Sequence, residues 1–222
     1  MLNEGIDLLC QNDPVINGII APRYDEIILF LSRYISLIEY FNPALSLLGT
    51  NDHNEIIVRH ILDSLSPLGI IQRKIQGREI FAVDVGSGAG LPGIPLAITL
   101  PEVNLTLIER KGRRAGFLRN VIADLKLDNI FIEEEEMEKV KPARFSLVVF
   151  RAFKPLEPKI LKKLFRLCRE DGILAAYKGR REKIETEIAS LMDTLEKIQC
   201  DIIPCPVPFL EEERHLILIG KS

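Results

Sequence analysis

Between Asp25 and Phe41 the apolar residues Ile27, Leu31, Ile35, Ile38 and Phe41 recur at steps of three and four, which places them on one face of a helix. Asn42-Pro43 is expected to end that helix, because a proline disfavours helical backbone in the residue before it. A second helix is expected from about Asn54 to Leu65, with Ile57, Ile61 and Leu65 inward and an Asn or Asp as its cap. Residues 1–75 therefore read as a helical extension packed on a core. After Gly77 short apolar runs alternate with amphipathic segments, the texture of a parallel sheet covered by helices. Strands are expected at 80–85, 104–109, 129–133, 145–150, 173–177 and 214–219, with another at 199–203. Helices are expected over Pro158–Arg169, closed by Asp171-Gly172, and over Glu182–Ile198, where Ile184, Ile188, Leu191, Leu195 and Ile198 form a stripe. Residues 76–222 are thus expected to form an α/β domain.

Composition narrows this picture without redirecting it. A chain of 222 residues can bury a sizeable core, so neither a disulfide nor a metal is needed for folding. The four cysteines, Cys10, Cys168, Cys200 and Cys205, lack the C-x-x-C spacing of a zinc site or redox pair, and no metal is expected. Apolar stretches such as Ile27–Leu31 fall far short of the roughly 20 residues that cross a bilayer, so no membrane association is expected. The first residues lack a basic start and an apolar run, which predicts a cytoplasmic protein. A net charge of -3 disfavours a polyanionic partner overall and directs attention to local basic clusters.

The chemistry concentrates after the strand Ile80–Val85, where Gly86-Ser87-Gly88-Ala89-Gly90-Leu91-Pro92-Gly93 leads into an apolar helical segment, Ile94–Leu100. Glycines there allow positive φ and let a ligand lie against bare backbone, while the helix start offers free N–H groups to an anionic group of a cofactor. Gly88–Gly93 also satisfies the G-x-G-x-x-G dinucleotide pattern, so a nicotinamide cofactor is one reading. Asp84 favours S-adenosyl-L-methionine instead: a carboxylate at the strand end can face a positively charged amino-acid moiety, whereas it would repel a pyrophosphate. Glu109 ends the next strand 19 residues past Gly90, where an acid can accept the ribose hydroxyls of either cofactor.

At these residues the chain resembles the bacterial 16S rRNA guanine-N7 methyltransferases, once called glucose-inhibited division protein B. The resemblance runs through Val58–Leu65, Asp84–Pro95, Gly112–Leu118, Arg151-Ala152-Phe153, Tyr177-Lys178-Gly179 and Glu213–Leu216. It implies a seven-stranded Rossmann-like class I methyltransferase fold behind a helical N-terminal extension. It also implies that Gly86 and Leu91 touch the cofactor, that Met137 and Glu138 border its adenine, and that Arg151 lies beside it. The sequence departs from the family at Ala44, Ser146 and Phe150 and in the acidic run Glu133–Glu136.

The expected cofactor-binding set is therefore Asp84, Gly86, Gly88, Gly90, Leu91, Glu109, Met137, Glu138 and Arg151. Guanine N7 carries a lone pair and no proton, so no general base is required, and Arg151, His60, Asp63 and Lys178 are expected to position rather than catalyse. His60 and Asp63 stand three apart, so both can face the glycine loop from one side of their helix. Arg110, Lys111, Arg113, Arg114, Lys178, Arg180, Arg181, Arg214 and His215 cluster near carboxyl ends of strands, where open sheets bind ligands, and are the expected RNA contacts. The expected partner is 16S rRNA or the small ribosomal subunit, met by a monomer. An NAD-dependent oxidoreductase and a non-catalytic cofactor-binding module remain open alternatives.

Overall fold

Two short helices open the chain, and the structure, a computed structural model, describes residues 1–75, 80–151, 156–192 and 198–221. Helices α1 (Leu2–Asn12) and α2 (Pro14–Ile20) meet at Asp13. Asp13 Oδ1 accepts the Val15 N–H at 2.9 Å, and Pro14 begins α2 without an N–H that would need a partner. Helix α3 (Tyr24–Leu45) buries Ile27, Leu31, Ile35 and Ile38, as their spacing predicts, and Tyr34 along with them. It does not end at Asn42-Pro43. Proline in a last turn costs little, because only one carbonyl loses its donor there. Buried Asn42 instead organises the following loop, accepting the Leu48 N–H at 2.7 Å and donating to Thr50 O at 2.7 Å.

Asp52 caps α4 (His53–Ile56) by accepting the Glu55 N–H at 2.8 Å, slightly ahead of the expected start. This helix passes into a π-helical stretch, Ile57–Leu62, which periodicity does not foretell, and then into α5 (Asp63–Leu65). Helix α6 (Leu68–Ile75) completes the extension.

The remainder alternates strand and helix: β1 (Phe81–Val85), α7 (Gly93–Thr99), β2 (Asn104–Ile108), α8 (Gly112–Leu125), β3 (Ile130–Glu133) and β4 (Phe145–Arg151), then α9 (Pro158–Leu167), β5 (Cys168–Lys178), α10 (Arg181–Met192), β6 (Ile198–Pro204) and β7 (His215–Lys221). The sheet has the order β3-β2-β1-β4-β5-β7-β6, parallel except for β7, which runs antiparallel between β5 and β6. The strand order reverses direction beside β1, so a crevice opens beyond the carboxyl ends of β1 and β4. All seven expected strands are present. Helix α9 ends at Leu167, ahead of Asp171-Gly172, because Cys168 already pairs with Phe145 and draws the chain into β5. Ile198 begins β6 and pairs with Lys221, so it belongs to no helical stripe. Leu195, Ala152, Phe153 and Gly77 lie outside the described residues.

One apolar cluster joins Ile6, Ile27, Leu31, Ile38, Ile61 and Leu68 to Leu107, Leu118, Val149 and Leu218, so the extension and one sheet face share a core. The opposite face packs on α9 and α10 through residues such as Val148, Leu161, Leu164 and Ile184. Ser146 has a local reason to be where it is: its hydroxyl accepts the Phe81 N–H at 3.2 Å at the border of β1 and β4. Phe150 is buried in the second cluster. Ala44 is exposed and lines neither of the crevice cavities described below.

A shared core predicts that residues 76–222 alone will not melt cooperatively, since removing the helices uncovers the sheet face that they bury. Thermal denaturation followed by circular dichroism checks this, and a sharp transition in the fragment would show two separable domains.

Candidate active site

The loop after β1 is drawn tight by its own backbone. The N–H groups of Gly86 and Ser87 both donate to Ile108 O, at 2.9 and 3.1 Å, and Gly90 N–H donates to Ser87 O at 2.7 Å. Gly86, Gly88 and Gly90 take φ of 74°, 58° and 92°, a region that side chains resist. A Cβ on Gly88 would make ordinary contact with Arg114 Nη1 at 3.7 Å, so that glycine is required by its φ rather than by crowding, and Gly86 is the loop glycine that lines the cavity at Glu109. Gly90 differs. A Cβ there would meet Leu118 at 2.9 Å, so its bareness serves packing. Leu91 likewise turns its side chain into the core at 5% exposure.

Asp84 does not face the crevice. At 1% exposure it lies beneath the loop, where Oδ2 accepts the Gly93 N–H at 3.0 Å. Burial pushes its carboxyl up to about 7, opposed by the Gly93 bond and by Arg151. The expectation that the start of α7 offers a free N–H to an anion is therefore corrected, because Asp84 already occupies it. The same contact explains Gly93, the last glycine of the pattern though no part of the expected cofactor set, since a Cβ there would fall 2.8 Å from Asp84 Oδ2. With the Gly93 N–H already taken, the start of α7 cannot offer it to a pyrophosphate, which weakens the dinucleotide reading of the glycine pattern.

Glu109 stands at the far side of the loop, 5% exposed, accepting the Gly88 N–H at 3.0 Å through Oε2 and the Lys111 N–H at 2.8 Å through Oε1. A cavity of about 530 Å³ opens there, lined by Gly86, Glu109, Arg114, Met137, Glu138 and Arg151, among others. Ile108, Met137 and Ile160 give it apolar walls, and Lys163, also in the lining, pairs with Glu138 at 2.6 Å. Ile160 and Lys163 were missed by the sequence reading. Their only signal is that they stand three apart on α9, so both can reach one site. The acidic run nearby is mostly paired, Glu133 with Arg144, Glu134 with Arg119 and Glu135 with Lys139.

A second cavity of about 440 Å³ adjoins the first and is lined by Arg59, His60, Asp63, Arg151, Lys178 and Arg214, together with Tyr177, Gly179, Cys205 and His215. Arg151, the last residue of β4, lines both cavities. His60 and Asp63 thus face this second space, across Arg151 from the glycine loop, rather than the loop itself. Asp63 Oδ2 binds Arg151 Nη1 at 3.0 Å and Oδ1 binds Arg214 Nε at 3.1 Å. Burial pushes the Asp63 carboxyl up, and the two guanidinium groups draw it back down.

Arg151 Nη2 also contacts His60 Nδ1 at 3.1 Å. Burial, followed by Arg151, Arg59 and Arg214, lowers His60 to about 4, so the ring is neutral at physiological pH. A guanidinium has only donors, so Nδ1 must accept and the ring proton sits on Nε2. Lys178 is held by Glu187 of α10 at 2.7 Å, and the same carboxylate oxygen accepts the Leu156 N–H at 3.0 Å. Glu187 was missed as well, and nothing local in the sequence marks it.

The expected RNA contacts divide by their partners. Arg110, Lys111, Arg113 and Arg180 are exposed. Arg114 donates to Ser46 O, Arg181 pairs with Glu185, and His215 contacts Gly179 O at 2.7 Å. Among the described residues no three His, Cys, Asp or Glu side chains gather as a metal site would, and no helix is long and apolar enough to cross a membrane.

Residues 28–217 match the family model described as GidB, rRNA small subunit methyltransferase G. A ribosomal RNA small subunit methyltransferase G from Treponema denticola is 34% identical, the match covering 92% of this chain and 90% of the relative. One from Klebsiella pneumoniae is 40% identical, with 85% and 86% covered. Among solved structures, a SAM-dependent methyltransferase from Aquifex aeolicus has a TM-score of 0.53 at 16% identity, covering 71% of this chain and 92% of that one. A ribosomal protein L11 methylase from Lactobacillus delbrueckii has 0.53 at 15%, covering 79% and 82%. At such identities these structures bear on the fold, which they share.

Because its folded pKa is raised, Asp84 binds a proton more tightly in the folded chain than in the unfolded one. Its contribution to stability is full below about pH 4 and is lost as the pH rises through about 7. Asp84→Asn keeps an acceptor for Gly93 and removes the titration. The urea midpoint of the ligand-free protein should therefore fall more between pH 5 and pH 8 in the parent than in Asp84→Asn, and parallel profiles would refute the assignment.

Proposed function

The chain belongs to the rRNA small subunit methyltransferase G family, and from that membership we propose that it transfers a methyl group from S-adenosyl-L-methionine to N7 of a guanine in 16S rRNA. The observation that carries the site assignment is Arg151, which forms the common wall of two adjoining cavities. The cavity at the glycine loop suits the donor, and the cavity lined by Arg59, Arg214 and Lys178 suits the nucleotide.

The residues present fit the cofactor. Gly86 lines its cavity, Glu109 offers two acceptor oxygens to ribose hydroxyls, and Ile108, Met137 and Ile160 form an apolar slot for a flat base. When bound, the cofactor supplies an electrophilic sulfonium methyl, which guanine N7 can accept without losing a proton. The protein's task is then orientation, an effect worth roughly 7 to 11 kcal/mol in well-ordered systems. Arg151, fixed by Asp63 and His60, sets the boundary between the reactants. Neutral His60 adds no positive charge behind a ring that gains one in the product.

Arg113 and Arg180, exposed and outside both cavities, are the proposed phosphate contacts, while Arg110 and Lys111, also exposed, line the donor cavity. Arg114 belongs to the donor cavity, and Lys178, Arg214 and His215 to the nucleotide cavity. The buried Asp84 at the start of α7 favours this reading over a nicotinamide cofactor. Turnover separates it from a binding module that only retains cofactor.

Incubating the protein with methyl-labelled S-adenosyl-L-methionine and undermodified small subunits, or free 16S rRNA, and mapping the label tests the assignment. Label at a guanine N7 is expected, and none in RNA would overturn it. Gly86→Val should abolish cofactor binding in calorimetry, because Gly86 lines the donor cavity at φ 74°, where a β-branched side chain strains the turn and intrudes on the ligand's space. Arg113→Glu with Arg180→Glu, both outside the two cavities, should leave cofactor affinity unchanged and weaken RNA binding. The salt dependence of that binding should fall by about one logarithmic slope unit for each phosphate no longer neutralised.

A further inference from the structure

The glycine loop is gripped from two sides, and only one grip comes from the sheet. On the sheet side Glu109 holds the Gly88 N–H. On the other side the hydroxyl of Tyr34, from the middle of α3, donates to Ala89 O at 2.6 Å. Tyr34 is fully buried, and burial raises its phenol well above the usual value, so the hydroxyl keeps its proton. Ala89 lies between Gly88 and Gly90, both at positive φ, in a stretch where the backbone has little intrinsic preference. A single donor to the Ala89 carbonyl therefore fixes the peptide planes of the loop whose first residue, Gly86, lines the donor cavity.

Resting on the function proposed above, we infer that Tyr34 is a positioning residue for the cofactor, through which the N-terminal extension shapes the glycine loop. The extension reinforces the same grip at a second point, where Arg114, a wall of the donor cavity, donates to Ser46 O just beyond α3 at 3.1 Å. Without the Tyr34 hydroxyl the Ala89 carbonyl is left buried and unpaired, and the loop must turn to find another donor. The cofactor then meets a loop that has to be reordered before it can bind, a cost that falls on affinity and not on the reaction that follows.

Tyr34→Phe removes the hydroxyl and preserves the ring. With far-UV circular dichroism confirming a folded protein, its Kd and KM for S-adenosyl-L-methionine should rise about ten-fold while kcat at saturating cofactor stays unchanged. Amide exchange in residues 86–91 should quicken in the variant, a change that a purely stabilising ring would not produce. In the unaltered protein, S-adenosylhomocysteine should slow exchange in α3 peptides around Tyr34 together with the loop. Parent-like Kd and KM in Tyr34→Phe, or an α3 that ignores the ligand, would overturn the inference and leave the proposed function standing. Failure of the unaltered protein to bind S-adenosyl-L-methionine would overturn that function and this inference with it.

Discussion

The pair between Arg151 and Asp63 is the interaction on which the arrangement of the site depends. Its side chains are 13% and 9% exposed, so neither charge can be left alone without a penalty of about 3 to 5 kcal/mol. Arg151 ends β4 and Asp63 begins α5, so the pair fastens the helical extension to the carboxyl edge of the sheet. Arg214, just ahead of β7, takes the other oxygen of the same carboxylate and draws the last strand into the assembly. Chain segments far apart in sequence thus meet at one carboxylate, and the guanidinium it holds divides the crevice in two.

The same logic of buried carboxylates recurs in the loop. Asp84 commits one oxygen to Gly93, and Glu109 commits its oxygens to Gly88 and Lys111, so acids that look like ligand contacts in the sequence hold backbone in the structure. Glu109 remains in the wall of the cavity, where ribose hydroxyls can compete for its oxygens. Asp84 does not, and its effect on a ligand is through loop shape.

What could be read from the sequence was what depends on near neighbours. The strand, glycine turn and helix around Gly86–Gly93 were legible because bare backbone and positive φ leave a compositional mark, and the α3 stripe because a buried helix face has a period. The contacts that give these elements their purpose were not. Nothing near Tyr34 shows that its hydroxyl reaches Ala89, and nothing near Glu187 shows that it holds Lys178. Asn42-Pro43 misled because a proline in the final turn is tolerated, and Ile198 misled because an apolar residue at helical spacing fits a strand equally well. The basic residues look alike in sequence, yet internal acids claim Lys178 and Arg214 and leave Arg110, Lys111, Arg113, Arg180 and Arg181 exposed.

The central claim is that the loop and Arg151 place a methyl donor beside a nucleotide pocket. A crystal structure with S-adenosylhomocysteine tests it most directly. Ligand density is expected against Gly86, with the ribose at Glu109 and the sulfur end toward Arg151. Density elsewhere, or a loop cavity filled by protein side chains in the presence of saturating ligand, would contradict it.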